Sequence, residues 1–112
     1  MAPPSQLAIA TGAVNRLVKE EASYYKELEQ QQARIANIGH DKDDENAEYK
    51  LKQEQRAIEE TKAVFPQLQQ RIKDSLAKLQ QQLEQEEHSS SEDIAKAKEA
   101  VAAALQALKE TS

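Results

Sequence analysis

Apolar residues recur three and four positions apart along three stretches of the chain, separated by two polar breaks. In the first stretch Val14, Leu17, Val18, Tyr24 or Tyr25, Leu28, Ile35 and Ile38 share one helical face, which predicts a helix over residues 5–38. Gly39 follows, where helices commonly close in a left-handed residue. The second stretch holds Leu51, Ile58, Phe65, Ile72 and Leu79 seven apart, with Leu68, Leu76 and Leu83 beside them. That is the spacing of a coiled-coil seam, and it predicts a helix over 44–87. Asp41, Asp43 and Asp44 offer cap oxygens and negative charge at its start. The third stretch, with Ile94, Ala97, Val101, Ala104, Leu105 and Leu108, predicts a helix over 91–110. Ser90 or Ser91 caps it, and Glu92 and Asp93 suit its first turn.

Two residues interrupt these patterns. Pro66 removes one backbone hydrogen bond and presses on the carbonyl of Lys62. The apolar spacing stays in step on both sides, so one helix bent at Pro66 is expected, not two. Gly12 costs about 1 kcal/mol relative to Ala inside a helix. Either a neighbouring helix approaches it closely, or the regular helix begins near Thr11.

Short breaks make consecutive helices antiparallel. The expected fold is all-α: an elongated antiparallel three-helix bundle with left-handed coiled-coil-like packing, helix 2 bent at Pro66 and helix 3 shortest. It forms a single domain over 1–112. At a rise of ~1.5 Å per residue the helices span roughly 50, 65 and 30 Å. Helix 3 is then too short to cover the others and stops near Pro66. The end carrying Gly39 is two helices thick, with a partly open seam around Leu28, Ile35, Leu51 and Ile58. Heptad packing supplies most of the stability. Glu48 with Lys52, Asp74 with Lys78, and Glu92 with Lys96 are four apart and each adds a few tenths of a kcal/mol.

Composition tests this picture against disorder. Leu, Ile, Val and Phe total only 21 of 112 residues, but the net charge is a modest −5. The 18 Ala, 14 Gln and many Glu and Lys are good helix formers. Such a chain can build a thin core shared between long helices. With no cysteine it has neither disulfides nor thiolate metal sites. No apolar run approaches the ~20 residues a bilayer demands, and the N-terminus lacks a signal-peptide pattern, so a cytoplasmic protein is expected. The mild acidity argues against a nucleic-acid partner, and the narrow apolar stripes against a membrane one.

Candidate chemistry is sparse. His40 and His88 both fall in predicted turns at opposite ends of the bundle and read as solvated. Counted as a calcium loop from Asp41, the sixth residue is Asn46 where Gly is wanted and the twelfth is Lys52 where Glu is wanted. The acids there are better explained as helix caps. The carboxylates lie on solvated helix faces with no desolvated pair, two Gly make no phosphate-binding loop, and Ser89, Ser90 and Ser91 have no candidate base beyond the adjacent His88, so no enzyme, metal or cofactor is expected. Gln30–Gln32, Gln67 with Gln69 and Gln70, and Gln80–Gln82 read first as solvated helix surface. The alternative is a polar docking face.

Residues 11–27, TGAVNRLVKEEASYYKE, resemble the signature of the tubulin-specific chaperone A (tubulin-binding cofactor A) family. The matching positions are Thr11, Gly12, Val14, Arg16, Leu17, Val18, Lys19, Glu20, Tyr24 or Tyr25, Lys26 and Glu27. A second match is the mid-helix proline with its neighbours Val64, Phe65, Pro66 and Arg71. Length, acidic turn and short third helix agree as well. The third helix matches in composition only, and extra Gln and Ser lie near residues 80–91. The resemblance implies a cytoplasmic chaperone that captures β-tubulin released from the chaperonin, holds it near-native and passes it on for pairing with α-tubulin. It implies neither nucleotide nor covalent chemistry, and it implies other tubulin-folding cofactors in the same pathway. A surface-capture mechanism makes Arg16, Lys19, Glu20, Lys26, Gln67 and Arg71 the expected partner-binding residues; ordinary solvated side chains are the alternative for each. Two other architectures compete. A scaffold or adaptor module of the spectrin-repeat kind usually carries core Trp, which is absent here. A lipid-binding helix protein needs a wider apolar face with basic flanks. A half-open seam could also pair with a second copy of the chain as a homodimer.

Overall fold

The computed structural model describes residues 4–40, 45–85 and 89–110. They form three α-helices, α1 (Gln6–His40), α2 (Ala47–Glu84) and α3 (Ser91–Glu110), and among the described residues there is no strand. α3, with 20 residues against 35 and 38, is the shortest.

Each start is set by a short polar residue. Ser5 Oγ accepts from the Ala8 N–H at 3.0 Å, and its carbonyl accepts from the Ile9 N–H at 3.0 Å. Ser90 does the same for α3, its Oγ accepting from the Asp93 N–H at 3.1 Å and its carbonyl from the Ile94 N–H at 3.1 Å. At α2 the Asn46 carbonyl accepts from the Lys50 N–H at 2.9 Å. The expected caps Asp41, Asp43 and Asp44 lie outside the described residues, and so does His88. α1 does not stop at Ile38. It continues through Gly39 to His40, so Gly39 is helical and His40 ends a helix instead of occupying a turn. α2 runs without a break through Pro66, as the in-step apolar pattern required.

The chain divides into two compact units. Unit 1 takes Met1–Glu20 and Leu68–Ser112, and so combines parts of all three helices. Its core is Leu7, Val14, Leu17, Leu68, Ile72, Leu76, Leu79, Ala97, Ala100 and Ala104. α1 and α3 start side by side, where Ser5 Oγ donates to Asp93 Oδ2 at 3.1 Å. α2 runs antiparallel to both: Ala10 and Ala13 share a hollow with Ser75 and Gln82, and Lys98 and Val101 share one with Glu84 and Gln80. Ala side chains on α3 leave room for this close packing. Two positions differ from the expected α3 stripe. Leu105 is half exposed, and Ala100 takes a place in the core. Positions 97, 100 and 104 follow the three-four spacing, and Leu105 sits one residue, or about 100°, off that line.

Unit 2, Glu21–Gln67, contains only α1 and α2 segments. Leu28, Ile35, Ile38, Leu51 and Ile58 are each partly exposed, the open seam expected where no third helix covers them. Tyr24 and Tyr25 both meet Phe65, the first edge-on at 6.4 Å between ring centroids and the second stacked at 4.4 Å. Gln31 belongs to this seam, not to the solvated surface: it is buried, and its Oε1 has no hydrogen-bond partner. Glu54 holds Arg34 Nε at 2.9 Å through Oε1, and its Oε2 is buried without a partner.

Candidate functional site

The i, i+4 spacing of Arg16 and Glu20 places both on one flank of α1 in unit 1. The antiparallel α2 brings Arg71 alongside, with Nη1 4.0 Å from Glu20 Oε1. These three side chains line one hollow of about 300 Å³ with Ala13 and Leu17. The structure thus gathers three of the six expected contact residues. Their ion pair is long and solvated, so it adds little to stability. Lys19 is exposed on α1 outside this lining. Lys26 and Gln67 are exposed residues of unit 2.

The hollow adjoins a second, of about 310 Å³, which shares Ala13 and is lined further by Ile9, Ala10, Ser75, Lys78 and three glutamines, Gln6, Gln81 and Gln82. The resemblance signalled Arg16, Glu20 and Arg71, but not Ile9 or Lys78. Asp74 was expected to pair with Lys78. It instead accepts a hydrogen bond from Gln70 Nε2 at 2.9 Å, and no ion pair engages Lys78 among the described residues. The other two expected pairs form, Glu48 with Lys52 at 3.8 Å and Glu92 with Lys96 at 3.2 Å. In unit 2 a separate hollow of about 330 Å³ lies between α1 and α2, lined by Arg34, Asn37, Ile38, Lys50, Gln53 and Glu54.

Among the described residues no group of three His, Cys, Asp or Glu side chains could hold a metal ion. Among the described residues no helix is long and apolar enough to cross a membrane either. The described residues make an all-helical protein with open grooves between its helices, lined by cations, amides and a few apolar side chains. The sequence matches the family described as Tubulin binding cofactor A over residues 2–101. It is 33% identical to Tubulin-specific chaperone A of Saccharomyces cerevisiae over 105 residues, 94% of this chain and 95% of that protein. Among solved structures it is similar to Rbl2p, a beta-tubulin binding post-chaperonin cofactor. That match has a TM-score of 0.82 and 30% identity, covering 94% of this chain and 99% of the other. The crystal structure of tubulin folding cofactor A from Arabidopsis thaliana matches with a TM-score of 0.76 and 32% identity, covering 89% and 92%. The chain therefore belongs to the tubulin-binding cofactor A family.

Proposed function

We propose that this chain is a tubulin-folding cofactor, which captures β-tubulin after its release from the chaperonin and holds it near-native until the αβ heterodimer forms. The observation that carries this reading is near-complete coverage of a relative described as a β-tubulin binding post-chaperonin cofactor, at 30% identity and a TM-score of 0.82. The chemistry is compatible. An unpaired subunit exposes an interface that aggregates when left open. A mixed polar and apolar helix surface covers it reversibly, and binding lowers the free concentration of the aggregating species by mass action. Capture needs no covalent step, no nucleotide and no metal, and it takes place in the cytoplasm, where other tubulin-folding cofactors receive the client.

The contact uses Arg16, Glu20 and Arg71 of unit 1, with Lys19 on the same helix, and Lys26 and Gln67 of unit 2. The test is gel filtration of chaperonin-released β-tubulin mixed with the chain and no nucleotide. Co-elution and suppressed light scattering on warming are expected. β-Tubulin that elutes alone and aggregates at its usual rate overturns the reading and returns the chain to the scaffold class. Sedimentation equilibrium of the chain alone reports whether the open seam of unit 2 pairs two copies as a homodimer.

A further inference from the structure

We infer that the outer α1/α2 groove of unit 1 seats an acidic amphipathic helix of the captured client, an assignment that rests on the proposed function and specifies the element bound. The two hollows share Ala13 in their walls and follow one another along α1 and α2, and together they are taken as the groove. Half of Ile9 is exposed on its wall, an apolar anchor that the bundle itself leaves uncovered. The chain carries a net charge of −5, yet the groove is lined by Arg16, Arg71 and Lys78 against one acid, Glu20. Glu20 lies 4.0 Å from Arg71. Among the described residues Arg16 and Lys78 have no ion pair, and Asp74, four residues before Lys78, accepts a hydrogen bond from Gln70 instead. The groove is thus a local positive strip on an acidic molecule, with an apolar anchor at one end and two cations that no carboxylate pairs among the described residues.

Spacing selects the shape of the occupant. Ile9 and Arg16 are seven apart on α1, and Arg71 and Lys78 are seven apart on α2. Seven residues rise about 10 Å, two helical turns. An occupant helix with carboxylates one heptad apart meets both cations while one apolar flank lies against Ile9. A basic segment is repelled by the same cations. A membrane surface would call for a wider apolar face than Ile9 and Leu17 provide.

The experiment titrates fluorescently labelled β-tubulin with the full chain and its variants, following anisotropy at two salt concentrations. The Arg16→Glu, Lys78→Glu double variant should weaken retention by at least about tenfold and flatten its salt dependence. Ile9→Asp should weaken it by a similar factor, since it removes the anchor and adds a like charge. Lys52→Glu and Lys96→Glu, which alter exposed lysines outside the groove, should stay within about twofold of the unmodified chain. All five positions are exposed, and circular dichroism checks that each variant keeps its helix content. If the unmodified chain retains β-tubulin while the groove variants match the controls or bind more tightly, the groove assignment is overturned and the proposed function survives. If the unmodified chain fails to retain β-tubulin, the proposed function falls and takes this inference with it.

Discussion

Gly12 lies well inside α1, which starts at Gln6, so it marks neither a late helix start nor a turn. A Cβ added there would meet nothing within 4 Å, so no neighbouring helix requires the missing side chain either. Both packing explanations suggested by the sequence therefore fail, and only the cost of glycine in a helix remains. Gly12→Ala should raise stability by about 0.5–1 kcal/mol, because Ala narrows the unfolded ensemble and fits the helical backbone. Urea unfolding would show a higher midpoint at unchanged slope; a lower midpoint would mean that the backbone at Gly12 is crowded after all. Buried polar side chains behave less uniformly. Thr11 and Thr61 are buried, and their hydroxyls donate to the carbonyls of Leu7 at 2.8 Å and Ala57 at 3.0 Å, so the core carries no hydroxyl cost there. Gln31 Oε1 and Glu54 Oε2 have no such outlet, and each unsatisfied oxygen costs on the order of 1–3 kcal/mol.

Helices were legible in the sequence because their apolar repeats are long and regular, and α2 shows why regularity outweighs punctuation. Its seam residues Phe65, just before the proline, and Leu68, Ile72, Leu76 and Leu79, after it, are all buried, and packing them keeps the helix continuous across it. Pro66 itself is exposed and still deprives the Lys62 carbonyl of its N–H partner. Pro66→Ala should restore that bond and raise the thermal midpoint, with a gain of about 1–3 kcal/mol. A loss would show that the proline ring supports the stack of Tyr25 on Phe65 in unit 2. Helix ends were less legible. A glycine signals a stop only where the chain needs a left-handed residue, and α1 does not need one at Gly39. Leu7 lies one heptad before Val14 and is buried, yet the stripe traced from Val14 misses it. For the site, the i, i+4 pair Arg16 and Glu20 could be read from spacing, whereas the place of Arg71 beside them depends on the antiparallel register. The availability of Lys78 could not be read, because the sequence offers Asp74 both Gln70 and Lys78 at the same distance of four residues, and the structure selects Gln70.

The two units differ in how their seams are filled, and this should govern which part of the molecule opens first. In unit 1, Leu7, Leu68, Ile72, Leu79 and Val14 have almost no exposed surface, and Ala97, Ala100 and Ala104 of α3 add to the same core. Unit 2 relies on two helices whose aliphatic seam positions are all partly exposed. Its buried positions are Glu21, Gln31, Thr61 and the aromatic Phe65, and solvent reaches its ion pair between Arg34 and Glu54. Burying a leucine or isoleucine fully is worth about 1.5–3 kcal/mol, and partial exposure forfeits much of that at Leu28, Ile35, Leu51 and Ile58. Because α1 and α2 run unbroken from one unit into the other, we expect one domain with a single global unfolding transition, and the difference should appear as sub-global opening below it. Native-state hydrogen exchange is the measurement that resolves this. Amides of residues 25–38 and 50–62 should exchange at least about tenfold faster than those of 9–17 and 70–80, which is a difference of ~1.4 kcal/mol in opening free energy. Both sets lie within continuous helices. Equal protection in the two sets would mean that the polar seam of unit 2 is as well satisfied as the aliphatic core of unit 1, with water or a second copy supplying what Gln31 and Glu54 lack.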